Sequence, residues 1–233
     1  MRKLILLFTV IVFVFMGYKG FTAVTKFLGD SSIKDFEKGK FNRIALDRNG
    51  HLSLSPQMKE VFHKADILYV WCLVEDSKGN IYFGTGNKAR IYRKTPKGKV
   101  ELFYQFETGI SVTSLAIDSK DNIYACANPG NTIVKLKPNG SNRFLAKIKE
   151  KYIWKLKTDS RDNLYVATGN SAAIYQISPD ETIQPIYKSK EESHFLALAV
   201  TPGGTVVFGS VGKGIVYKWD RRSNQVKVLY DTY

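Results

Sequence analysis

A five-residue turn motif recurs at almost constant spacing, and this periodicity constrains the fold more than any other feature of the chain. The motif reads DSKGN from Asp76, DSKDN from Asp118, DSRDN from Asp159 and TPGGT from Thr201, at intervals of 42, 41 and 42 residues. A degenerate copy, DRNGH, begins at Asp47. A period of this size indicates stacked supersecondary units, in which each unit buries its apolar faces against its neighbours.

Each repeat contains four short segments typical of β-strands. One apolar segment runs into the turn, a second leaves it, and a third is separated from the fourth by another turn that is often rich in Pro, Gly or Asn. Four antiparallel strands per unit are typical of a propeller blade. The sequence therefore predicts an all-β protein, a β-propeller with four full four-stranded blades and one partial blade. The blades are expected at 41–63 (partial), 70–106, 112–148, 153–188 and 195–230, within a propeller domain at 41–233.

Two positions of the repeat keep their size in all four full blades. The first position is always leucine: Leu73, Leu115, Leu156 and Leu198. The second position is always small: Gly84, Cys126, Ala167 and Gly209. We expect the leucines to pack blade against blade, and the small residues to lie where inner strands crowd together. Cys72 and Cys126 are the two cysteines, and this placement favours buried core thiols over a disulfide or a metal site.

The N-terminus carries a targeting pattern. Arg2 and Lys3 precede an apolar run at 4–17, as in the basic and hydrophobic regions of a secretory signal. The run is short for a spanning helix, which needs about 20 residues. We predict a hydrophobic helix at 1–21 that acts as a signal anchor or a signal peptide. The uncleaved anchor is favoured, because a bulky Phe21 stands in a poor cleavage site.

A linker is expected at 22–40. The basic residues ahead of the helix are expected to stay cytoplasmic, so that the rest of the chain is exported. This predicts a protein of the bacterial inner or cell membrane with an extracytoplasmic propeller, or a periplasmic or secreted protein if the N-terminus is cleaved.

The segments VWCLVEDSKGNIYFGTG at 70–86 and KVLYDT at 227–232 resemble bacterial exported propellers of the NHL, WD-repeat and two-component-regulator-propeller type. The resemblance covers residues 36–233. It implies a propeller fold and says little about function. In longer relatives a phrase like YDTY at 230–233 leads into another blade, so the resemblance implies a C-terminally truncated member.

The charge balance favours anionic partners. The chain has 35 Lys and Arg against 21 Asp and Glu, a formal net charge of +14. A basic surface suits nucleic acid, anionic lipid or acidic polysaccharide. The lysines are scattered and no block of five like charges occurs, which is typical of a solvated face. Together with the export pattern, this argues against a nucleic-acid partner.

The sequence offers few candidates for chemistry. His194 follows Glu191 and Glu192 on a segment that enters a blade near the propeller axis, where propellers often bind ligands. With Asn128 and Asn170 these are the candidate binding residues, and no catalytic or metal-binding residue is assigned. The turn aspartates only loosely resemble a calcium loop, and a backbone-bonding role is favoured for them.

The resulting hypothesis is a non-enzymatic binding module for a protein or polysaccharide partner, in sensing or envelope organisation, with no cofactor. Enzymatic activity is left open. The alternative is a metal-dependent lactonase or esterase of the gluconolactonase/regucalcin type, with a divalent cation such as Ca²⁺. Residues of the type that would hold that cation are Glu75, Asn128, Asn131 and Asn170. A purely architectural propeller is a third possibility.

The three tryptophans, Trp71, Trp154 and Trp219, would suit sugar stacking or a protein hot spot if exposed. Trp71 and Trp154 occupy the same position in two blades, and this alignment favours packing between blades.

Overall fold

The computed structural model describes residues 33–36, 38–56 and 58–232, and the chain divides into two units, Met1–Lys59 and Glu60–Tyr233. The first unit contains a helical turn, α1 (Ile33–Phe36), and an antiparallel hairpin of β1 (Ile44–Leu46) and β2 (Leu52–Leu54). The hydrophobic helix predicted at 1–21 and most of the predicted linker lie outside the described residues. Within the described ranges, no helix has the length and apolar character needed to cross a membrane.

The second unit consists of four antiparallel four-stranded blades, which we call blades 1 to 4, and the single residue pair Gly169–His194 joins blades 3 and 4 into one eight-stranded sheet. Blade 1 contains β3 (Val70–Glu75), β4 (Ile81–Thr85), β5 (Arg90–Lys94) and β6 (Val100–Gln105). Blade 2 contains β7 (Leu115–Ile117), β8 (Ile123–Ala125), β9 (Thr132–Leu136) and β10 (Asn142–Lys147). Blade 3 contains β11 (Tyr152–Thr158), β12 (Leu164–Gly169), β13 (Ala173–Ile177) and β14 (Ile183–Lys188). Blade 4 contains β15 (His194–Val200), β16 (Val206–Val211), β17 (Val216–Asp220) and β18 (Gln225–Tyr230). The predicted four-stranded antiparallel blades are confirmed.

The blades follow one another in chain order, with the first strands β3, β7, β11 and β15 in successive contact. An apolar cluster fills each of the three spaces between neighbouring blades. The aligned leucines belong to these clusters in three blades, where Leu115, Leu156 and Leu198 are buried. Leu73 of blade 1 is 67% exposed. Side chains alternate across a strand, and the neighbouring Cys72 and Val74 face blade 2, so Leu73 points to the opposite face.

Three of the four aligned small residues, in blades 1 to 3, lie in closely packed surroundings, whereas Gly209 of blade 4 is partly exposed. A Cβ atom added to Gly84 would stand 2.7 Å from both Cys72 Sγ and Val112 Cγ1, while Cys126 and Ala167 are fully buried. Both cysteines are free thiols, and burial raises the pKa of Cys72 to about 12. Cys126 is therefore a core residue as predicted, and Cys72 packs beside the same kind of interface.

The turn aspartates bond to their own turns. Asp76 Oδ1 accepts the backbone N–H groups of Lys78 (3.0 Å) and Asn80 (2.8 Å), and Oδ2 accepts the hydroxyl of Tyr82 (3.2 Å). Asp118 and Asp159 repeat this pattern in blades 2 and 3. The backbone-bonding interpretation is confirmed. In the part of the chain that the structure describes, no three His, Cys, Asp or Glu side chains are grouped to hold a metal ion.

Consecutive turns are also joined to each other. Ser77 of blade 1 donates its N–H and its hydroxyl to the two carboxylate oxygens of Asp121 in blade 2, at 2.9 and 2.6 Å. Ser119 of blade 2 does the same with Asp162 in blade 3, at 2.8 and 2.6 Å. We call this two-bond contact the turn latch. At the boundary of blades 3 and 4 the position of the aspartate is occupied by Gly204.

Candidate functional site

All four blades contribute to one cleft at the strand ends opposite the turn motifs. We call it the axial cleft, because it is lined largely by residues of the first strands, next to the axis. Its volume is about 340 Å³ and its lining is mostly apolar. The lining residues are Trp71, Thr113, Trp154, Lys155, His194, Leu196 and Val211.

Backbone bulges direct three of these side chains into the axial cleft. The ladder between the first and second strands shifts by one residue at Trp71, at Trp154 and at Leu196, so that each is an extra, unpaired residue. A bulge re-aims the side chain of the extra residue, and bulges are frequent beside functional sites. The three blades thus use one device to turn a large apolar side chain out of the sheet.

Each of the two indoles that line the axial cleft is stacked on a tyrosine ring. The rings of Tyr152 and Trp154 lie 5.1 Å apart with an interplanar angle of 11°, and those of Tyr69 and Trp71 lie 5.5 Å apart at 28°. Trp71 is 53% exposed. The prediction that the two aligned tryptophans pack between blades is therefore wrong for Trp71, whereas Trp154 is half-buried and its indole contacts His194 of blade 4. Trp219, in contrast, is buried between blades 3 and 4.

A glycine makes room for each indole. A Cβ atom on Gly86 would stand 2.8 Å from Trp71 Nε1, and one on Gly169 would stand 2.2 Å from Trp154 Nε1. The absent side chains of these two aligned glycines thus accommodate the tryptophans. In blade 2 the corresponding pair is Thr113 and Asn128, and Asn128 Nδ2 donates to Thr113 Oγ1. The Trp–Gly pairing within a repeat was a signal in the sequence that could have identified the cleft.

His194 is held by two N–H donors. Its Nδ1 atom accepts hydrogen bonds from Trp154 Nε1 (3.1 Å) and from the backbone N–H of Asn170 (3.3 Å). We assign the ring proton to Nε2, because Nδ1 accepts both bonds. The structure thus brings together two of the predicted site residues, His194 and Asn170. The Nε2–H group is then a donor at the edge of an otherwise apolar cleft.

A second cleft adjoins the first at Asn170. We call it the lysine cleft, since Lys149, Lys151 and Lys188 line it, and its volume is about 540 Å³. Glu150 is buried in its wall: Oε1 accepts the hydroxyl of Tyr175 (3.1 Å), and Oε2 has no hydrogen-bond partner among the described residues. Burial and the bond to Glu150 raise the pKa of Tyr175 to about 12.

Asn128 supports the axial cleft from behind. Its Nδ2 atom donates to Thr113 Oγ1 and to the carbonyl of Ile153, both at 2.6 Å, and its Oδ1 atom accepts the N–H of Ile153 at 3.1 Å. Asn128 is buried, so all of its polar atoms serve these contacts. It fixes the start of β11, immediately before Trp154.

Glu191 and Glu192 lie near blade 4 but do not line the axial cleft. Glu191 is exposed and forms an ion pair with Lys213, which lowers the pKa of its carboxyl group. Glu192 is buried, and its Oε1 atom has no partner in the described part of the chain. The structure places these two predicted residues beside the loop at Gly212, apart from His194 and Asn170.

The residues considered for a metal-dependent hydrolase converge only in part, since Asn131 and Asn170 both line the lysine cleft. Glu75 ends β3, beside the turn motif, whereas Asn128, Asn131 and Asn170 follow second strands and lie at the opposite strand ends. The side-chain amides of Asn128 and Asn131 are bonded to backbone carbonyls.

Comparison with known proteins supports the fold. The family model described as "Two component regulator propeller" matches residues 66–87. Virginiamycin B lyase from Staphylococcus aureus is similar in structure over 80% of this chain and 61% of that chain, with a TM-score of 0.63 and 17% identity. This chain therefore spans about three fifths of the length of the lyase.

Two other solved structures resemble the chain. A chain of a nidogen/laminin complex gives a TM-score of 0.63 at 16% identity, covering 80% of this chain and 73% of that chain. A gluconolactonase from Xanthomonas campestris gives a TM-score of 0.54 at 13% identity, and the match covers 64% of this chain and 57% of that chain. No curated protein sequence matches the chain. At such identities the likenesses bear on the fold, and together with the family match at residues 66–87 they support a β-propeller fold.

Proposed function

We propose that the protein is a non-enzymatic binding module that binds an acidic polysaccharide at the face formed by the axial and lysine clefts. A sugar ring of the ligand enters the axial cleft between the two tyrosine–tryptophan stacks, and its acidic groups contact the lysine cleft. The observation that carries the proposal is the presence of two outward-turned indoles in one cleft of about 340 Å³.

The chemistry of the axial cleft suits a sugar ring. Aromatic side chains offer a large apolar surface at low entropic cost, and a cleft of this volume is of the size that holds small ligands, about 300–1,000 Å³. Trp154 and Trp71 present such surfaces, while His194 Nε2 and Lys155 add donors for hydroxyl or carboxylate oxygens. Few polar groups among many apolar ones is the usual composition of a site that orients a ligand.

The lysine cleft favours an acidic polymer over a neutral one. Three lysines against the single Glu150 leave its lining positive, in keeping with the net charge of +14. Asn170 lines the lysine cleft and its backbone N–H bonds to His194 of the axial cleft, so the two clefts are adjacent. A chain of acidic sugars has the length to occupy both clefts. An extracytoplasmic location, anchored or secreted, forms part of this proposal and would place the face where such polymers occur.

Binding of polygalacturonate and alginate, with neutral dextran as the control polymer, tests the proposal by tryptophan fluorescence and calorimetry. We expect Trp71→Ala to weaken binding about tenfold or more, because an exposed indole at the centre of a contact contributes strongly. Phe144→Ala removes a similarly exposed aromatic residue of blade 2 and serves as the matched control.

A double variant, Lys149→Gln with Lys151→Gln, is expected to weaken binding and to reduce its dependence on salt. Equal affinity of the wild type and Trp71→Ala would refute the proposal. Turnover of a lactone or ester panel that chelators abolish would favour the hydrolase instead. Binding of a protein ligand at the same cleft, without binding of either acidic polymer, would replace the polysaccharide with a protein partner.

A further inference from the structure

The turn latches show how this fold holds a carboxylate. In both latches a serine at the second position of the turn motif donates its N–H and its hydroxyl to the two oxygens of one carboxylate. The distances are 2.9 and 2.6 Å for Ser77, and 2.8 and 2.6 Å for Ser119. Two parallel bonds to a charged acceptor give both strength and orientation.

The corresponding serine of blade 3, Ser160, lacks this acceptor. The position that carries Asp121 in blade 2 and Asp162 in blade 3 carries Gly204 in blade 4. A Cβ atom added to Gly204 would meet no atom within 4 Å, so nothing fills the place of the missing side chain. Within the described residues, the N–H and the hydroxyl of Ser160 make no hydrogen bond, which leaves a pair of donors of the latch type unused.

Arginines surround the vacant acceptor position. The resulting cavity, which we call the arginine notch, has a volume of about 320 Å³ and is lined by Ser160, Gly204, Arg161, Arg221 and Arg222. Among the ion pairs of the described residues, Arg221 lies 3.7 Å from Asp159, and neither Arg161 nor Arg222 takes part in one. The lining therefore carries an excess of positive charge next to free donors.

One carboxylate among the lining residues of the notch is already in use. Asp159 accepts the N–H groups of Arg161 and Asn163 at 2.9 Å, and the hydroxyl of Tyr165 at 3.0 Å. Its side chain is 4% exposed. Asp159 thus serves its own turn and pairs with Arg221, and within the described residues Arg161 and Arg222 form no ion pair.

We propose that the arginine notch is a binding site for a compact oxyanion, a phosphate, sulfate or carboxylate group of a ligand. Ser160 binds the anion through its N–H and its hydroxyl, as Ser77 and Ser119 bind a carboxylate of the chain itself. The arginines supply the charge and the additional donors that such groups prefer. The notch lies among the turn motifs, at the strand ends opposite the axial cleft, and does not depend on what the axial cleft binds.

The test is a titration of the full chain with inorganic phosphate, sulfate and acetate at constant ionic strength, with chloride as the reference salt. The amide resonance of Ser160 reports binding directly, and the melting temperature reports it through ligand stabilisation. We expect a saturable shift of the Ser160 amide with the oxyanions. A stronger response to phosphate and sulfate than to acetate supports a doubly charged ligand group, and an equal response supports a carboxylate group as well.

Gly204→Asp is the decisive variant, because it places a carboxylate where the other two interfaces have one. The backbone at Gly204 has φ +79°, close to the +62° and +60° of Asp121 and Asp162, so aspartate is accommodated there. We expect it to weaken anion binding about tenfold or more, since the new side chain takes the two donors and adds a repelling charge.

Gly140→Asp is the matched control, because Gly140 also has a positive φ and open space around its added Cβ. It should bind the anions like the wild type, and Arg222→Gln should bind them about threefold more weakly. The proposal is overturned if the oxyanions shift the Ser160 amide no more than chloride does. It is equally overturned if Gly204→Asp responds like the wild type and like Gly140→Asp.

Discussion

The boundary between blades 2 and 3 and the boundary between blades 3 and 4 contain similar apolar clusters but differ at their turn motifs. Leu156 is buried in the first boundary and Leu198 in the second. At the turns, Ser119 is latched to Asp162 across the first boundary, whereas Ser160 faces Gly204 across the second. Apolar packing is thus repeated from blade to blade, while the polar turn contact is varied. A repeat protein can change the chemistry of one such contact and keep its fold.

The largest loss of stability is expected from substitutions in the apolar clusters between blades. Leu156→Ala and Leu198→Ala should each lower the free energy of unfolding by about 2–5 kcal/mol, because each leaves a cavity between blades. Leu73→Ala, at the same repeat position but 67% exposed, is the control and should cost less than about 1 kcal/mol. Urea denaturation measures all three. A small loss for Leu198→Ala alone would mean that the two boundaries also differ in their cores.

The next effect is a loss of stability at acidic pH, caused by protonation of the turn aspartates. Burial alone would raise the pKa of Asp118, but hydrogen bonds from Asn122, Tyr124 and the turn backbone outweigh it, so the pKa lies below its ordinary value of 3.8. The stability that this group contributes is therefore complete above pH 3.8 and is lost as the pH falls through the lowered pKa. Asp159 behaves in the same way, whereas blade 4 has the non-titrating Thr201 at this position.

Thermal melts between pH 6 and pH 2.5 check this prediction. Asp118→Asn should lower the melting temperature at pH 6 by about 4–6 °C and make it less dependent on pH. Asp180→Asn changes an exposed turn aspartate of blade 3 and should leave the pH dependence as it is. An unchanged pH dependence in Asp118→Asn would contradict the role assigned to the turn aspartates.

A smaller effect is expected from breaking a latch. Asp162→Ala removes the acceptor of both Ser119 donors and should cost about 1 kcal/mol, since the bonds are charge-assisted but exposed to solvent. It would also make the boundary of blades 2 and 3 resemble that of blades 3 and 4. Glu107→Ala, which removes another exposed carboxylate, should change stability by less than about 0.5 kcal/mol. Equal effects of the two variants would show that the latch contributes nothing.

The smallest effect on stability is expected from the reverse change, in which a latch is added. Gly204→Asp should raise the free energy of unfolding by about 0.5 kcal/mol in the absence of oxyanions, because the new bonds are exposed and screened. Phosphate should narrow the difference in the free energy of unfolding between the variant and the wild type, because it binds to and stabilises the wild type alone. A variant less stable than Gly140→Asp in chloride would show that Ser160 does not accept the latch geometry.

Repeat alignment predicted the features that act within one blade. The four strands, the bonding of Asp76 to its own turn and the core position of Cys126 all follow from residues that are close in sequence or aligned between repeats. The exposure of Trp71 did not follow, because an aligned tryptophan fits blade packing and cleft lining equally well. The bulge that directs its side chain depends on the hydrogen-bond register between β3 and β4.

Aligning the repeats also could not predict the contacts between them. The motif TPGGT was recognised as a copy of the turn, but the loss of an aspartate at Gly204 acquired meaning only when its partner, Ser160 of the preceding blade, was known. Of the predicted binding residues, His194 and Asn170 meet at the axial cleft, Asn128 supports it, and Glu191 and Glu192 lie apart from it.

The sequence by itself determined the repeat, the four-stranded blades and the turn chemistry, because strand periodicity, turn residues and side chain–backbone bonds are local properties. Only the tertiary structure decided which side chains line the axial cleft and which donors remain free at the arginine notch. Both depend on residues about 40 positions apart in different blades, and strand register and blade stacking bring them together. The feature that sets the boundary of blades 3 and 4 apart, Ser160 without a carboxylate partner, is therefore readable as a change in sequence, but only the structure of the interface shows that its donors are unused.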